Sequence, residues 1–146
     1  MRLVLQRVSS ARVEVGGELI ASIDFGLLVL VAIETTDESE QVEKAARKLI
    51  DLRLFEDEDG RFNCAAAEVG AQFLIVSQFT LAASLRRGRR PSFDKAAPPD
   101  QARRLVDSLI ERLRDEGFVV ETGRFGARMD VLLTNQGPAT FCLDIE

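Results

Sequence analysis

No histidine, tyrosine or tryptophan occurs among the 146 residues of the chain. The missing histidine is the most restrictive of these absences. Without an imidazole there is no side chain suited to general-base work near neutral pH, and Ser-His-Asp and Cys-His machinery are both excluded. A histidine-rich zinc site is excluded as well, and two cysteines are too few for an all-thiolate one. Cys64 and Cys142 lie far apart and outside any CxxC pattern, so they read as small core hydrophobes in preference to a disulfide or a redox pair. Long hydrophobic runs are missing too. Gly26 to Ile33 falls far short of the roughly 20 residues that cross a bilayer. The stretch Met1 to Arg7 has no signal-peptide architecture, which makes a cytoplasmic setting without a membrane partner the default expectation. Any chemistry must come from carboxylates, hydroxyls, backbone dipoles or groups on the substrate. Such a chain works mainly by positioning.

What is present describes an ordinary globular protein, with 46% hydrophobic and 29% charged residues. The length fits one domain spanning residues 1–146, and a chain of about 150 residues buries roughly 68–70% of its unfolded surface. The hydrophobic pattern alternates between periods of two and 3.6 residues. Arg2 to Val8 and Arg12 to Val15 read as strands, and Gly16-Gly17 makes a two-residue hairpin turn into Glu18 to Ile23. Gly26 to Ile33 is continuously apolar, the pattern of a strand buried on both faces. Val42, Ala45, Ala46, Leu49 and Ile50 then mark a helix, with Asp37 and Glu40 spaced as a capping box.

Asp57-Glu58-Asp59-Gly60 reads as a turn, and Gln72 to Phe79 as another apolar strand. A polar, proline-containing loop covers residues 82 to about 99. Beyond Pro98-Pro99 a second helix carries Ala102, Leu105, Val106, Leu109, Ile110 and Leu113 on one stripe, and Gly117 is placed to end it. Phe118 to Thr122, Met129 to Thr134 and Ala139 to Ile145 complete the set as three strands. Many strands with two amphipathic helices make an α+β domain.

Charge is distributed unevenly. Between Ala82 and Arg104 there are seven Lys or Arg against two Asp, a net of +5; with a formal total of −5, the rest of the chain carries −10. Arg86, Arg87, Arg89 and Arg90 are four of those positives. Such a loop is either a solvated surface or an anchor for phosphates, and its place next to Ser77 to Leu81 favours the second. A pI near 4.9 argues against broad coating of nucleic acid but allows a grip on one end of an RNA.

Two segments concentrate the functional signal, Ser77-Gln78-Phe79-Thr80-Leu81 and Asn135-Gln136-Gly137-Pro138-Ala139-Thr140. Each lies at the end of a strand-like run, where a backbone can be held rigidly beside a ligand. Gly137 has no side chain to block close approach, and Pro138 lacks a backbone donor and fixes φ. Together they strongly resemble the signatures of the D-aminoacyl-tRNA deacylases. The resemblance extends over almost the whole chain through Leu5 to Ala11, Gly88-Arg89-Arg90-Pro91-Ser92-Phe93 and Glu121-Thr122-Gly123-Arg124-Phe125-Gly126-Ala127. Gln136 and Ala139 stand where that family often carries Asp and Val, and Glu34-Thr35-Thr36 lacks an expected glycine. None of these departures touches the Gly-Pro pair.

The resemblance implies a deacylase-type fold, a homodimer of compact, barrel-like subunits whose multi-stranded sheet carries the two amphipathic helices, with shared active sites at the interface. It implies a cis bond between Gly137 and Pro138, projecting into the partner's pocket, and a pocket built from Ser77, Gln78, Phe79 and Thr80. Arg7 would help hold the Gly-Pro segment. The implied reaction is chiral proofreading: hydrolysis of the ester joining a D-amino acid to the 3′ end of tRNA. Main-chain oxygens of Gly137 and Pro138 would exclude L residues, while glycine would leak through. The partner is the acceptor end of an aminoacylated tRNA, and no cofactor or metal is assigned.

Without histidine, the Thr80 hydroxyl is a poorly activated nucleophile. Backbone N–H groups at Phe79 and Thr80 are the better stabilisers of an oxyanion, with the ribose 2′-hydroxyl assisting water. Two other readings stand beside this one, a relative that chiefly clears glycine and a non-catalytic RNA-binding module.

Overall fold

The computed structural model describes residues 1–86 and 88–146. Strand β1, Arg2–Val15, is the spine of a six-stranded sheet. Along one edge it pairs antiparallel with β8, Asp130–Asp144. The other edge is shared. Residues Arg2 to Val8 pair with β3, Gly26–Ala32, and Ala11 to Val15 pair with β2, Glu18–Ile23. Beyond β3 lie β6, Gln72–Ser77, and β7, Val120–Thr122, both in parallel register. Strand β2 comes back against β6 and β7, so the sheet curls towards a barrel. A small hairpin of β4, Phe55–Glu56, and β5, Phe62–Cys64, stands apart.

The period-two alternation divides the strand side chains between two cores. Leu28, Leu74 and Val76 join Val8, Ala11, Val13, Ala21 and Ile23 inside the curl. Leu27, Val29, Val31, Phe73 and Ile75 face outward, where α1 (Ser39–Asp51) and α2 (Pro99–Asp115) cover them. That is why β3 reads as an uninterrupted apolar run: both of its faces are buried. The helices bury most of the residues their periodicity predicted, Val42, Ala45, Ala46 and Leu49 on α1, where Ile50 is half-buried, and Ala102, Leu105, Val106, Leu109, Ile110 and Leu113 on α2. Each large aliphatic side chain so removed from water contributes about 1.5–3 kcal/mol before entropy is counted.

Several local expectations need correction. The two segments read as strands before the first hairpin are one continuous strand, because Ser9 and Ser10 stay in the sheet while facing solvent. The last two strands are likewise one, β8, running through Gly137 and Pro138. The α1 cap is not Asp37. Glu38 takes the cap position and its N–H donates to Gln41 Oε1 at 2.9 Å, while Asp37 is buried and bonded elsewhere. Neither cysteine belongs to the buried core, since Cys64 is half-buried and Cys142 exposed; both are free thiols. Gly16 and Gly17, at φ +58° and +81°, make the expected hairpin turn between β1 and β2.

Candidate functional site

The site begins where β6 ends. Gln78 N–H donates to Val31 O at 2.7 Å, extending the β3–β6 pairing by one bond. The chain then breaks into a 3-10 turn over Phe79–Ala82, without a side-chain cap at its start. Within the turn Leu81 N–H returns to Gln78 O, at 3.1 Å. The Phe79 and Thr80 amides, which open the turn, make no backbone hydrogen bond among the described residues. Two adjacent donors are therefore held at a fixed place on a rigid strand end.

Beside them lies a cavity of about 560 Å³, within the usual range for a small-molecule site. Ser77, Gln78 and Phe79 form one wall. Phe93, Ala96 and Ala97 from the loop before α2 form another, with Pro99 and Ala102 at the helix start. Phe125, Gly126, Ala127, Met129 and Val131 close the far side. Phe79 and Phe93 meet at 5.2 Å between ring centroids, and both remain partly exposed at the rim. Arg103 stacks over the Phe125 ring at 4.7 Å. The lining of the cavity is mainly apolar.

The remaining expected residues are distributed differently. Thr80 is exposed and does not line the cavity; its hydroxyl accepts a hydrogen bond from Gln78 Nε2. Gly137 and Pro138, joined by a cis bond, are exposed on β8 and also lie outside the cavity wall. The β1–β8 register explains their projection. Gln6 pairs with Thr140 and Val8 with Asn135, so residues 136–139 bulge out opposite Arg7. Ala139, at 0% exposure, pins the base of the bulge. Asn135 braces it, its Nδ2 donating to Arg7 O at 3.0 Å and to Ala139 O at 3.2 Å.

Arg7 is turned inward. At 4% exposure, its Nη1 donates to Leu54 O at 3.1 Å and its Nη2 pairs with Glu56 Oε1 at 2.8 Å. The guanidinium also sits 5.4 Å from the centroid of Phe62. It thus ties β1 to the β4–β5 hairpin at a distance from the cavity wall. The Asp57 turn in that hairpin is well satisfied. N–H groups of Arg61 and Asp59, with the Asn63 amide, hold the Asp57 carboxyl below the usual carboxylate range.

Arg86, Arg89 and Arg90 are exposed on a loop closed by paired hydrogen bonds between Ser84 and Ser92, at 2.8 and 3.0 Å. Arg87 lies outside the described residues. Sequence reasoning missed Asn135 as a brace and Phe93, Phe125 and Met129 as wall. Phe93 and Phe125 do sit inside two of the motifs quoted above, and that was their available signal. Among the described residues no group of three acidic or cysteine side chains is placed to hold a metal, and no helix is long and apolar enough to cross a membrane.

The fold thus combines a curled sheet and two helices with a cavity at one strand end and a projecting Gly-Pro bulge at another edge, and comparison with known proteins gives its class. The model of the D-Tyr-tRNA(Tyr) deacylase family matches residues 4–144. A D-aminoacyl-tRNA deacylase of Bacillus licheniformis is 52% identical over 144 residues, covering 99% of this chain and 98% of that protein. One from Pseudomonas putida is 52% identical over 145 residues, covering 99% and 100%. Among solved structures, one described as the c-Myc DNA unwinding element binding protein superposes with a TM-score of 0.94 at 38% identity, over 100% of this chain and 99% of that one. Another, titled as a probable eukaryotic D-amino acid tRNA deacylase, shares the fold, with a TM-score of 0.85 at 20% identity over 99% and 98% of the two chains. The chain belongs to the D-Tyr-tRNA(Tyr) deacylase family.

Proposed function

We propose that this chain is a D-aminoacyl-tRNA deacylase that hydrolyses the ester between a D-amino acid and the 3′ end of tRNA. The observation that supports the reading is the apolar cavity lined by Phe79, whose amide and that of adjacent Thr80 lack backbone partners among the described residues, in a chain of this family. In the reaction, water adds to the ester carbonyl and the negative charge gathers on the carbonyl oxygen. The two amides stabilise that oxygen, and the bond to the ribose 3′-oxygen breaks as that oxygen takes up a proton. With no histidine available, the neighbouring 2′-hydroxyl orients and helps activate the water. Thr80 contributes its amide and not a covalent step, while Ser77 and Gln78 shape the pocket.

Chirality is selected by exclusion. The exposed Gly137-Pro138 bulge of one subunit enters the cavity of a second copy, and two-fold symmetry creates two such sites on a homodimer. Its carbonyl oxygens crowd the face where an L side chain would point. A D residue places hydrogen there, and glycine, with no side chain, is cleaved as well. Arg7 supports the bulge from β1, with its backbone oxygen held by Asn135. Arg86, Arg87, Arg89 and Arg90 take the phosphates of the acceptor end, and residues 1–146 act as one domain in the cytoplasm.

The test is hydrolysis of D-tyrosyl-, L-tyrosyl- and glycyl-tRNA by purified protein, with Thr80→Ala alongside. We expect the D and glycyl esters to be cleaved, the L ester to survive, and Thr80→Ala to keep activity within about tenfold of the parent. A D ester on a terminal 2′-deoxyribose should be cleaved poorly. Complete loss of activity in a folded Thr80→Ala would restore the covalent route, and survival of all three esters would sink the enzyme reading.

A further inference from the structure

A buried polar contact at Asp37 is not explained by the reaction. Asp37 is 3% exposed, and its Oδ1 accepts a hydrogen bond from the Met1 ammonium at 2.7 Å. The ammonium is fully buried, donates also to Ile145 O at 3.1 Å, and lies 3.5 Å from Glu34 Oε2. The second Asp37 oxygen accepts the Glu34 N–H at 2.7 Å, closing the turn from Glu34 to Asp37. A buried carboxylate with a buried cation fixes whatever backbone carries it, because moving either group strands the other without solvent.

The backbone that Asp37 fixes is the support of the cavity wall. Ile33, which lines the cavity, accepts the Ala97 N–H at 3.0 Å, and Thr35 N–H donates to Lys95 O at 3.0 Å. These bonds hold Ala96 and Ala97, two wall residues, against the Glu34 turn. On the other side Gln101 Nε2 donates to Asp37 O at 3.0 Å and reaches Thr35 O at 3.4 Å, tying the first turn of α2 to the same loop. A chain of contacts thus runs from the Met1 ammonium through Asp37 to the cavity wall.

We infer that Asp37 is a positioning residue for the substrate cavity. This inference rests on the proposed deacylase activity for its kinetic readout but not for its structural one. Ala96 and Ala97, the wall residues held by this turn, shape binding and do not touch the reacting carbonyl. Disturbing Asp37 should therefore act on KM and spare kcat.

The experiment compares Asp37→Asn and Gln101→Ala, both in the 146-residue chain. Asn keeps an acceptor for the Glu34 N–H but removes the charge. Gln101→Ala cuts the tie to α2 without burying an unpaired charge, so it remains informative should Asp37→Asn fail to fold. We expect KM for D-tyrosyl-tRNA to rise roughly tenfold in Asp37→Asn and about threefold in Gln101→Ala, with kcat within about twofold.

Amide hydrogen exchange at Thr35 and Ala97 should quicken in the same order while Val29 in the core stays protected. Unchanged KM together with uniform loss of protection would show general destabilisation and overturn the inference. A parent protein that cleaves no ester would defeat the functional reading alone. The exchange at Thr35 and Ala97 would still decide whether Asp37 holds the wall.

Discussion

At the scale of single residues, Gly137 is notable for how little surrounds it. A Cβ added there would meet no atom within 4 Å, and its φ does not demand glycine. Nothing within one chain therefore requires the missing side chain. If the bulge enters a second copy's cavity, the demand comes from that cavity or from substrate. Gly137→Ala should fold with stability within about 0.5 kcal/mol of the parent, as surface substitutions usually do. Its kcat/KM on D-tyrosyl-tRNA should fall by roughly tenfold or more. Thermal unfolding and steady-state hydrolysis, measured on the same preparation, separate the two effects. Full activity in the variant would remove Gly137 from the site.

The same scale shows what a sequence can and cannot disclose. Ser77 to Phe79 stood out in the sequence because the apolar run Phe73 to Val76 ends there and because the segment resembles a family signature. Arg7 was not legible in its true setting. Its carboxylate partner, Glu56, lies 49 positions away on a hairpin of two-residue and three-residue strands, too short for any periodicity to reveal. Asp37 was misread for a related reason: an acidic residue before a helix resembles a cap, and only the folded chain brings an ammonium to it.

At the scale of elements, the parallel seam between β3 and β6 sets the cavity, because Ser77, paired with Val31 at its end, leads through Gln78 into the 3-10 turn. The seam starts at Gly26, opposite Gln72. There a Cβ would sit 1.9 Å from the Gln72 carbonyl oxygen, a backbone atom that cannot swing away. Gly26→Ala must part the strands at their first pair, and we expect a loss of about 3 kcal/mol. Urea unfolding should show the midpoint falling with the slope preserved; a midpoint unchanged would mean the seam can open there without cost. The two helices were readable to within a few residues since each must keep one apolar stripe against the sheet. The lengths of β1 and β8 were not. Ser9-Ser10 and Gly137-Pro138 look like breaks in a linear pattern, yet strand pairing on either side carries the ladder through them.

At the scale of the whole molecule, charge is the organising quantity. The chain carries a net of −5, so a polyanionic RNA approaches against an unfavourable mean field unless a local patch overrides it. The loop between Ser84 and Ser92 supplies such a patch, presenting Arg86, Arg89 and Arg90 to solvent beyond the rim formed by Phe79 and Phe93. A contact of this kind has a thermodynamic signature. Each phosphate neutralised on a single strand adds about 0.7 to the slope of log affinity against log salt concentration. Replacing Arg86, Arg89 and Arg90 together by alanine should therefore reduce that slope by about 2 and raise KM for aminoacyl-tRNA at low salt. The rate at saturating substrate should stay unchanged, because none of the three lines the cavity. KM measured across a salt series for the parent and the triple variant gives both quantities. Parallel salt plots would mean that the acceptor end reaches the cavity along another face. Diverging plots would place the arginine loop on its path, and would account for how an acidic protein of this size grips one end of an RNA without coating the rest.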